Sequence, residues 1–367
     1  GVYTPLCNAG HTVHLIAITL EGRWFLQKTQ EISHAIQTDY PLSVVPGEGL
    51  FCAGKILSLD VAFAVTHGFG GEDGNLQGLC LLANLPLCGC DTLSSAIGMH
   101  KDIASKLFAL EGIPTVPSLV LHAQDILWLQ GKSETPPSWI PLQGDKTKLT
   151  PNNETTRRWS EASLILQKKV GPSLFVKPED SGSSLGVFAL RSPDGPLLKQ
   201  AILEAKRHSS SVLVQTLIEP MDELECAVLD SEDGSLIVAG PALVVDPGKQ
   251  SNHFLSYEYK YSQVDSAYLK IPSSYEQKVE EKVRHYARQA FRAIGGEGYA
   301  RIDFFVSGDK IYLNEINTSP GMTNKSHFPL LMGHAGYSME QVLQILIDHA
   351  LRRKKEELLR TYRPPGA

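Results

Sequence analysis

Four polar side chains near the end of the chain recur with period two on either side of a turn. Within residues 299–322, YARIDFFVSGDKIYLNEINTSPGM, Arg301 and Asp303 share one strand face, as do Glu315 and Asn317. Gly308-Asp309 reads as a hairpin turn. Pairing across it would bring the four polar groups to one side, with Ile302, Phe304, Ile311 or Tyr312, and Ile316 packing around them. Two carboxylates on one face repel unless a cation lies between them. Asp, Glu and Asn are hard oxygen ligands suited to Mg2+, which usually also bridges to phosphate. A solvent-facing polar strand alternates in the same way, so the pattern alone leaves both readings open.

Other segments offer anion chemistry of lower specificity. Residues 175–187, FVKPEDSGSSLGV, read as strand, Gly/Ser turn and strand. Backbone N–H groups of such a turn can cradle phosphate, and Lys177 adds a point charge; an ordinary hairpin has the same pattern. The GxxxxGK[ST] order of a Walker loop is absent. Residues 65–79, VTHGFGGEDGNLQGL, combine a strand end, a Gly-rich loop and a helix start, a combination that binds anions. By themselves, Lys101 in GMHKDIASK reads as a helix-surface lysine, YEYKY at 257–261 as a surface turn, and Glu223 as a solvated edge acid. Phe175, Leu217 and Ile218 read as core.

The elements that must carry these groups alternate along the chain. Strands are expected over 14–20, 61–66 and 85–88, with a helix over 75–83, a pattern implying a parallel sheet faced by helices. A helix over 99–111 would face inward through Ile103, Leu107 and Leu110, with Gly112 as its cap, and a strand over 114–121 follows. Residues 131–158 carry little periodicity and read as a surface insertion or mobile loop. Strands are expected over 173–177, 185–190, 212–218 and 224–229. A long helix over 275–294 would open with a capping box at Ser274 to Gln277, bury Val279, Val283, Ala287, Ala290 and Ile294, and end at Gly295-Gly296. A last helix spans 339–359, facing the core through Met339, Val342, Leu343, Leu346 and Ala350.

Composition narrows the class. The 367 residues suggest two or three domains, and 42% hydrophobic with 20% charged residues is ordinary for a globular protein. A net charge of −6 argues against a nucleic-acid partner, and no apolar run has the length of a membrane helix. The basic cluster 352–355 reads as a solvated helix end. Six cysteines, mostly in apolar runs, suit reduced packed thiols of a cytoplasmic protein; Cys88-Gly-Cys90 lacks a zinc-knuckle spacing. The chain opens on Gly-Val-Tyr, and its first clear strand reads as the second of a nucleotide fold. A strand and loop are therefore expected ahead of it.

RIDFF…YLNEINTSPGMT resembles the metal-binding end of the ATP-grasp fold in the D-alanine–D-alanine ligase family. KP…GSSxG, HG…GEDGxxQG and the lysine of GMHK match the same family in order, and the resemblance runs from about residue 13 to 351. It implies an α/β (α+β) ATP-grasp chain. A parallel-sheet, nucleotide-fold-like domain would span 1–97, a central ATP-grasp subdomain 98–210, and a C-terminal subdomain with metal site and lid 211–367. It further implies ligation of two D-alanines into the dipeptide used for peptidoglycan, through a D-alanyl phosphate, with ATP converted to ADP and phosphate.

The residue roles follow from the same resemblance. Asp303, Glu315 and Asn317 would hold two Mg2+ ions, with Mn2+ able to substitute. Arg301 and the Gly321 N–H would stabilise the oxyanion. Lys101, Lys177 and Lys260 would grip nucleotide phosphates. Phe175, Leu217 and Ile218 would line the adenine slot, Gln215 would lie near the adenine amino group, and Glu223 would accept from the ribose. Ser183 would join a substrate-facing hydrogen-bond set, and Tyr261 would close the lid. His67 would lie near the first substrate's carboxylate and Ser326 would bind the second's. His327 stands where the family commonly has Leu or Met, and a polar group there bears on the acceptor: D-serine and D-lactate ligases are the neighbouring reading. A non-catalytic ATP-binding regulator is another. The family's glutamate for the first substrate's ammonium has no counterpart here and is expected in the preceding loop. Many family members are dimers, so a homodimer is admitted.

Overall fold

The computed structural model describes residues 1–28, 35–140, 151–181, 185–231, 233–245 and 268–359, with side chains from 154 onward in the helix that begins at 151. The front of the chain holds α1 (Tyr3–Asn8), β1 (Leu15–Ile18), β2 (Trp24–Gln27), β3 (Leu42–Val45), β4 (Gly49–Cys52), β5 (Lys55–Ile56) and β6 (Ala62–Phe63). It continues through α2 (Asn75–Leu82), β7 (Leu87–Cys88), α3 (Thr92–Met99), α4 (Lys101–Leu110), β8 (Ser118–Leu121), α5 (Ala123–Leu129) and α6 (Pro151–Val170). Then come β9 (Ser173–Pro178), β10 (Phe188–Arg191), α7 (Gly195–Ala205), β11 (Val212–Thr216), β12 (Asp222–Asp230), β13 (Leu236–Val245) and β14 (Tyr268–Lys270). The last elements are α8 (Gln277–Ala293), β15 (Tyr299–Ser307), β16 (Lys310–Asn317), α9 (His327–His334) and α10 (Met339–Leu359).

Two antiparallel sheets dominate. The four-stranded one runs β10-β9-β11-β8 and the five-stranded one β14-β13-β12-β15-β16. In the first, Leu174, Val176, Val212 and Val214 are fully buried against α5, α6 and α7. Period two sends Phe175, Lys177, Leu213 and Gln215 to the opposite face. In the second, Leu224, Cys226, Val228, Ile302, Phe304 and Ile316 pack on α4 and α8. On its opposite face, α9 and α10 cover Ala227, Leu229 and Tyr299. The uncovered remainder carries the polar groups. Leu313 N–H donates to the Pro114 carbonyl at 2.8 Å, tying β16 to the segment leading into β8.

Several expectations change. At the front, parallel pairing among described residues is confined to β6–β7, whereas β1–β2 and β3–β4–β5 are antiparallel. Short hairpins and a parallel pair share the same alternating apolar signal. The expected 99–111 helix is two helices with His100 extended between them (φ −87°, ψ 93°), and its buried face is Ala104 and Phe108 while Ile103 and Leu110 are exposed. The capping box is not formed: Glu276 is the N-cap of α8, without a side-chain cap bond. The expected stripe of α8 is kept, joined by Phe291.

The supposed insertion contributes to the core. Trp139 and Ile140 are buried beside Trp159, and α6 begins at Pro151; residues 141–150 lie outside the described set. Arg353 is not solvated either: it pairs with Glu297 and donates to the carbonyls of Leu87 (2.9 Å) and Gly89 (3.1 Å). At that point Gly298 (φ +71°) and Gly89 (φ +107°) touch backbone to backbone, and a Cβ on Gly298 would meet the Gly89 Cα at 2.8 Å. Cys88 and Cys90 are packed thiols that burial pushes up to about 12.

Candidate functional site

The hairpin β15–β16 pairs Arg301 with Asn317 and Asp303 with Glu315, so the four polar groups do converge on one face. Just beyond, the register slips between Asp303 and Phe304: Phe304 pairs with Leu313 and Asn314 is the extra residue. A bulge re-aims its side chain, and Asn314 Oδ1 accepts from Lys177 Nζ at 3.3 Å across the gap between the two sheets.

On the neighbouring strand, Glu225 lies opposite Asp303 and Glu223 opposite Phe305, placing both acids on the same face. Oxygens of Glu223, Glu225 and Asp303 all come within 4.8 Å of one another. Glu225, 3% exposed, was missed by the sequence reading, although Glu223-Leu-Glu225 is itself an i, i+2 pair. It receives His327 Nδ1 at 2.7 Å and faces Arg301 Nε at 3.5 Å. Arg301 forks onto Asp303, Nε to Oδ1 at 2.8 Å and Nη2 to Oδ2 at 2.7 Å, and Asn317 Nδ2 donates to Oδ2 at 3.0 Å.

Electrostatics follow from this crowding. Burial pushes Asp303 up to about 7; Arg301 opposes the shift, and the negative charges of Glu225 and Glu315 add to it. Arg301 stays charged: burial disfavours its cation, but Asp303 and Glu225 more than offset that. A cluster of hard carboxylate oxygens strained by its own repulsion suits a divalent cation. The donor set is therefore wider than the expected Asp303, Glu315 and Asn317.

Across from it, Lys177 is 7% exposed. Burial above all, with the charge of Lys101, lowers its pKa to about 8, against the pull of Glu315 and Glu223. Phe175 and Gln215 flank it on the same face, and Leu217 follows buried while Ile218 is half-buried. Lys101 Nζ donates to the Ser181 carbonyl at 2.8 Å. Lys101 is thus tied to the turn after β9 rather than free on a helix surface.

The Gly-rich loop folds on itself through Glu72. Its carboxylate accepts from Gly68 N–H at 2.6 Å and sits 3.6 Å from His67 Nδ1. The Glu72 carboxylate beside it raises the His67 pKa, against burial and with help from the Ser319 backbone. His67 thereby lies on the Arg301 side of the cleft. Ser326 is the N-cap residue of α9 and its hydroxyl accepts from Thr323 N–H at 3.1 Å. Gly321 lies directly over it; a Cβ there would meet Ser326 Oγ at 2.7 Å. The structure thus brings together Arg301, Asp303, Glu315, Asn317, Glu223, Lys177, Gln215 and His327, with Lys101, His67, Gly321 and Ser326 around them. Ser183, Lys260 and Tyr261 lie outside the described residues.

Comparison with known proteins gives the family. Residues 145–348 match the family model "D-ala D-ala ligase C-terminus" and residues 1–90 match "D-ala D-ala ligase N-terminus". The chain belongs to the D-alanine–D-alanine ligase family. A D-alanine–D-alanine ligase of Bradyrhizobium sp. (strain ORS 278) is 32% identical over 366 residues, covering 96% of this chain and 89% of that one. One of Acetivibrio thermocellus is 35% identical over 306 residues, covering 83% and 71%. Among solved structures, the D-alanine–D-alanine ligase of Coxiella burnetii superposes with TM-score 0.72 at 26% identity, covering 97% of this chain and 90% of that chain. The VanG D-Ala:D-Ser ligase of Enterococcus faecalis gives 0.73 at 27%, covering 95% and 94%. The fold is accordingly ATP-grasp, and the ligase family is ATP-dependent and forms a peptide bond. Among the described residues no helix is long and apolar enough to cross a membrane.

Proposed function

We propose that this ligase joins two D-alanines in the cleft between the two antiparallel sheets, with ATP on the Lys177 side and the amino acids on the Arg301 side. The observation that carries the reading is Lys177, buried in one sheet, meeting Asn314 and the field of Glu315 and Glu223 in the other. A cation on one wall and carboxylates on the other suit a metal-bound triphosphate. Glu225, Asp303, Glu315 and Asn317 supply the donors that would hold Mg2+, two ions in all, or Mn2+. When bound, the metal would supply charge neutralisation at the γ-phosphate.

The protein's own residues position and neutralise. Lys177 and Lys101 hold phosphate, Gln215, Leu217 and Ile218 the adenine, and Glu223 the ribose. His67 steadies the first substrate's carboxylate while one of its oxygens attacks the γ-phosphorus and ADP departs. Ser326 holds the second substrate's carboxylate. Its amine then attacks the acyl carbon, Arg301 and the Gly321 N–H hold the oxyanion, and phosphate leaves as the amine sheds a proton. Lys260, Ser183 and the lid residue Tyr261 keep the roles the family resemblance gives them. We assign the site to a cytoplasmic enzyme, on the strength of its ATP chemistry and free cysteines. The three-part division at 97/98 and 210/211 is kept from the family resemblance; the five-stranded sheet falls within the last part, whereas the four-stranded sheet takes β11 (Val212–Thr216) from beyond the second boundary. A homodimer remains part of the reading through the family alone.

His327 favours a second reading. Its ring is held by Glu225 beside Arg301, so a polar group borders the acceptor side and D-serine becomes the competing acceptor. The deciding assay is phosphate release with D-alanine, L-alanine, D-serine and D-lactate, with the products identified. D-alanine-dependent release with D-alanyl-D-alanine as product is expected. D-alanyl-D-serine or D-alanyl-D-lactate as the main product would replace the acceptor. Nucleotide binding without release would leave a non-catalytic ATP-binding protein.

A further inference from the structure

We infer that Glu179 is a positioning residue for the nucleotide phosphates, acting through the two lysines that would grip them; this rests on the nucleotide site proposed above. Those lysines come from separate elements, Lys177 from β9 and Lys101 from the first turn of α4. They feel each other's charge, as the lowering of Lys177 by Lys101 shows. Two like charges on separate supports drift apart unless something fixes the spacing.

Glu179 sits two residues after Lys177 and is 5% exposed. Its Oε2 lies 2.9 Å from His100 Nδ1 and its Oε1 accepts from Asp102 N–H at 3.2 Å. His100 and Asp102 flank Lys101 in sequence. His100 is the N-cap residue of α4 but makes no side-chain cap bond, so Glu179 supplies the capping carboxylate from another element, where a negative charge favours the helix dipole. The Glu179 backbone is anchored as well, its N–H donating to the Ser211 carbonyl at 3.1 Å. Lys101 completes the clasp by donating to the Ser181 carbonyl at 2.8 Å. The turn after β9 and the start of α4 are thus closed on each other from both sides, at the place where both lysines emerge. Nothing in this clasp reaches toward the amino-acid side, where His67, Arg301 and Ser326 lie.

The test is calorimetric titration of Mg·ATP into the full chain, with steady-state kinetics, for wild type, E179A, E179Q, H100A and H100A/E179A. Loss of a charge-assisted bond predicts nucleotide binding weaker by about tenfold or more in E179A, with the KM for ATP following. The KM for the amino acid stays within about twofold, because the clasp does not touch that side. E179Q, whose amide oxygen still accepts from Asp102 N–H, recovers part of the loss. The double variant is no worse than E179A, since His100 acts through Glu179. Thermal melts without nucleotide separate a folding defect from a binding defect. A lower melting temperature with unchanged ATP affinity, or independent additive effects of the two substitutions, overturns the positioning role. Absence of Mg·ATP binding in the wild type would instead remove the nucleotide reading on which the role stands.

Discussion

Lys177→Met removes a buried cation and keeps most of its volume. Burial lowers the lysine from 10.5 to about 8. At about 1.4 kcal/mol per pKa unit, the charged form therefore destabilises the fold by about 3 kcal/mol. The sign is that of a group whose folded pKa lies below its unfolded one. The penalty is fully present below about pH 8 and disappears as pH rises from about 8 to 10.5, because over that interval the unfolded chain binds more protons. Methionine also forfeits the hydrogen bond to Asn314, worth roughly 1 kcal/mol. K177M should thus be more stable than wild type by about 2 kcal/mol at pH 7 and less stable by about 1 kcal/mol above pH 10.5, the curves crossing between. Urea unfolding across pH 6.5–11 (about half-unit steps) reads both limbs directly. Saturating Mg·ATP should stabilise wild type and leave K177M nearly unchanged. A stability difference of constant sign across that range would refute the idea that the cleft holds this cation at a cost until phosphate arrives.

Three more outcomes follow from the same geometry. Arg301→Ala should keep ATP affinity and lower ligation by about 10²–10³, measured as dipeptide formed per phosphate released; near-normal turnover would contradict its oxyanion role. Glu72→Gln should lower the His67 pKa, since the neighbouring Glu72 carboxylate is what chiefly raises it. In wild type the KM for the first amino acid should rise as pH climbs through the raised His67 pKa and the cation is lost. In E72Q the same rise should begin at lower pH, and superimposable profiles would count against His67. Gly321→Ala should displace the Ser326 hydroxyl, which its Cβ would meet at 2.7 Å. A several-fold increase in the acceptor KM, on the order of the loss of one hydrogen bond, is expected with ATP binding unaltered; an unchanged acceptor KM would place Ser326 outside the subsite.

The sequence by itself determined the metal-facing hairpin and the long helices. Alternation with period two puts Arg301 with Asp303 and Glu315 with Asn317, and the two-residue turn at Gly308-Asp309 starts the pairing, because both signals are local; the bulge at Asn314, which the sequence reading did not include, is what brings the two pairs to one face. The helix Met339–Leu359 was legible for the same reason: its stripe repeats every 3.6 residues within one element. Motif order then supplied the family, including residues whose bare pattern reads as surface. Glu225 could have been found beside Glu223 by the same alternation, and a buried carboxylate facing Asp303 is the group most consequential to the metal site among those missed.

Only tertiary structure decided the rest. His327 meets Glu225 across 102 positions and His100 meets Glu179 across 79, and neither partner carries a local mark of the other. Trp139 and Ile140 lie in a segment without periodicity, yet they fill the core beside Trp159. Arg353 looks like one charge in a basic run until Leu87 and Gly89 present their carbonyls to it. Periodicity reports which side of an element is apolar; which element comes to cover that side, and which charge is buried against which, is set by packing between segments far apart in the chain.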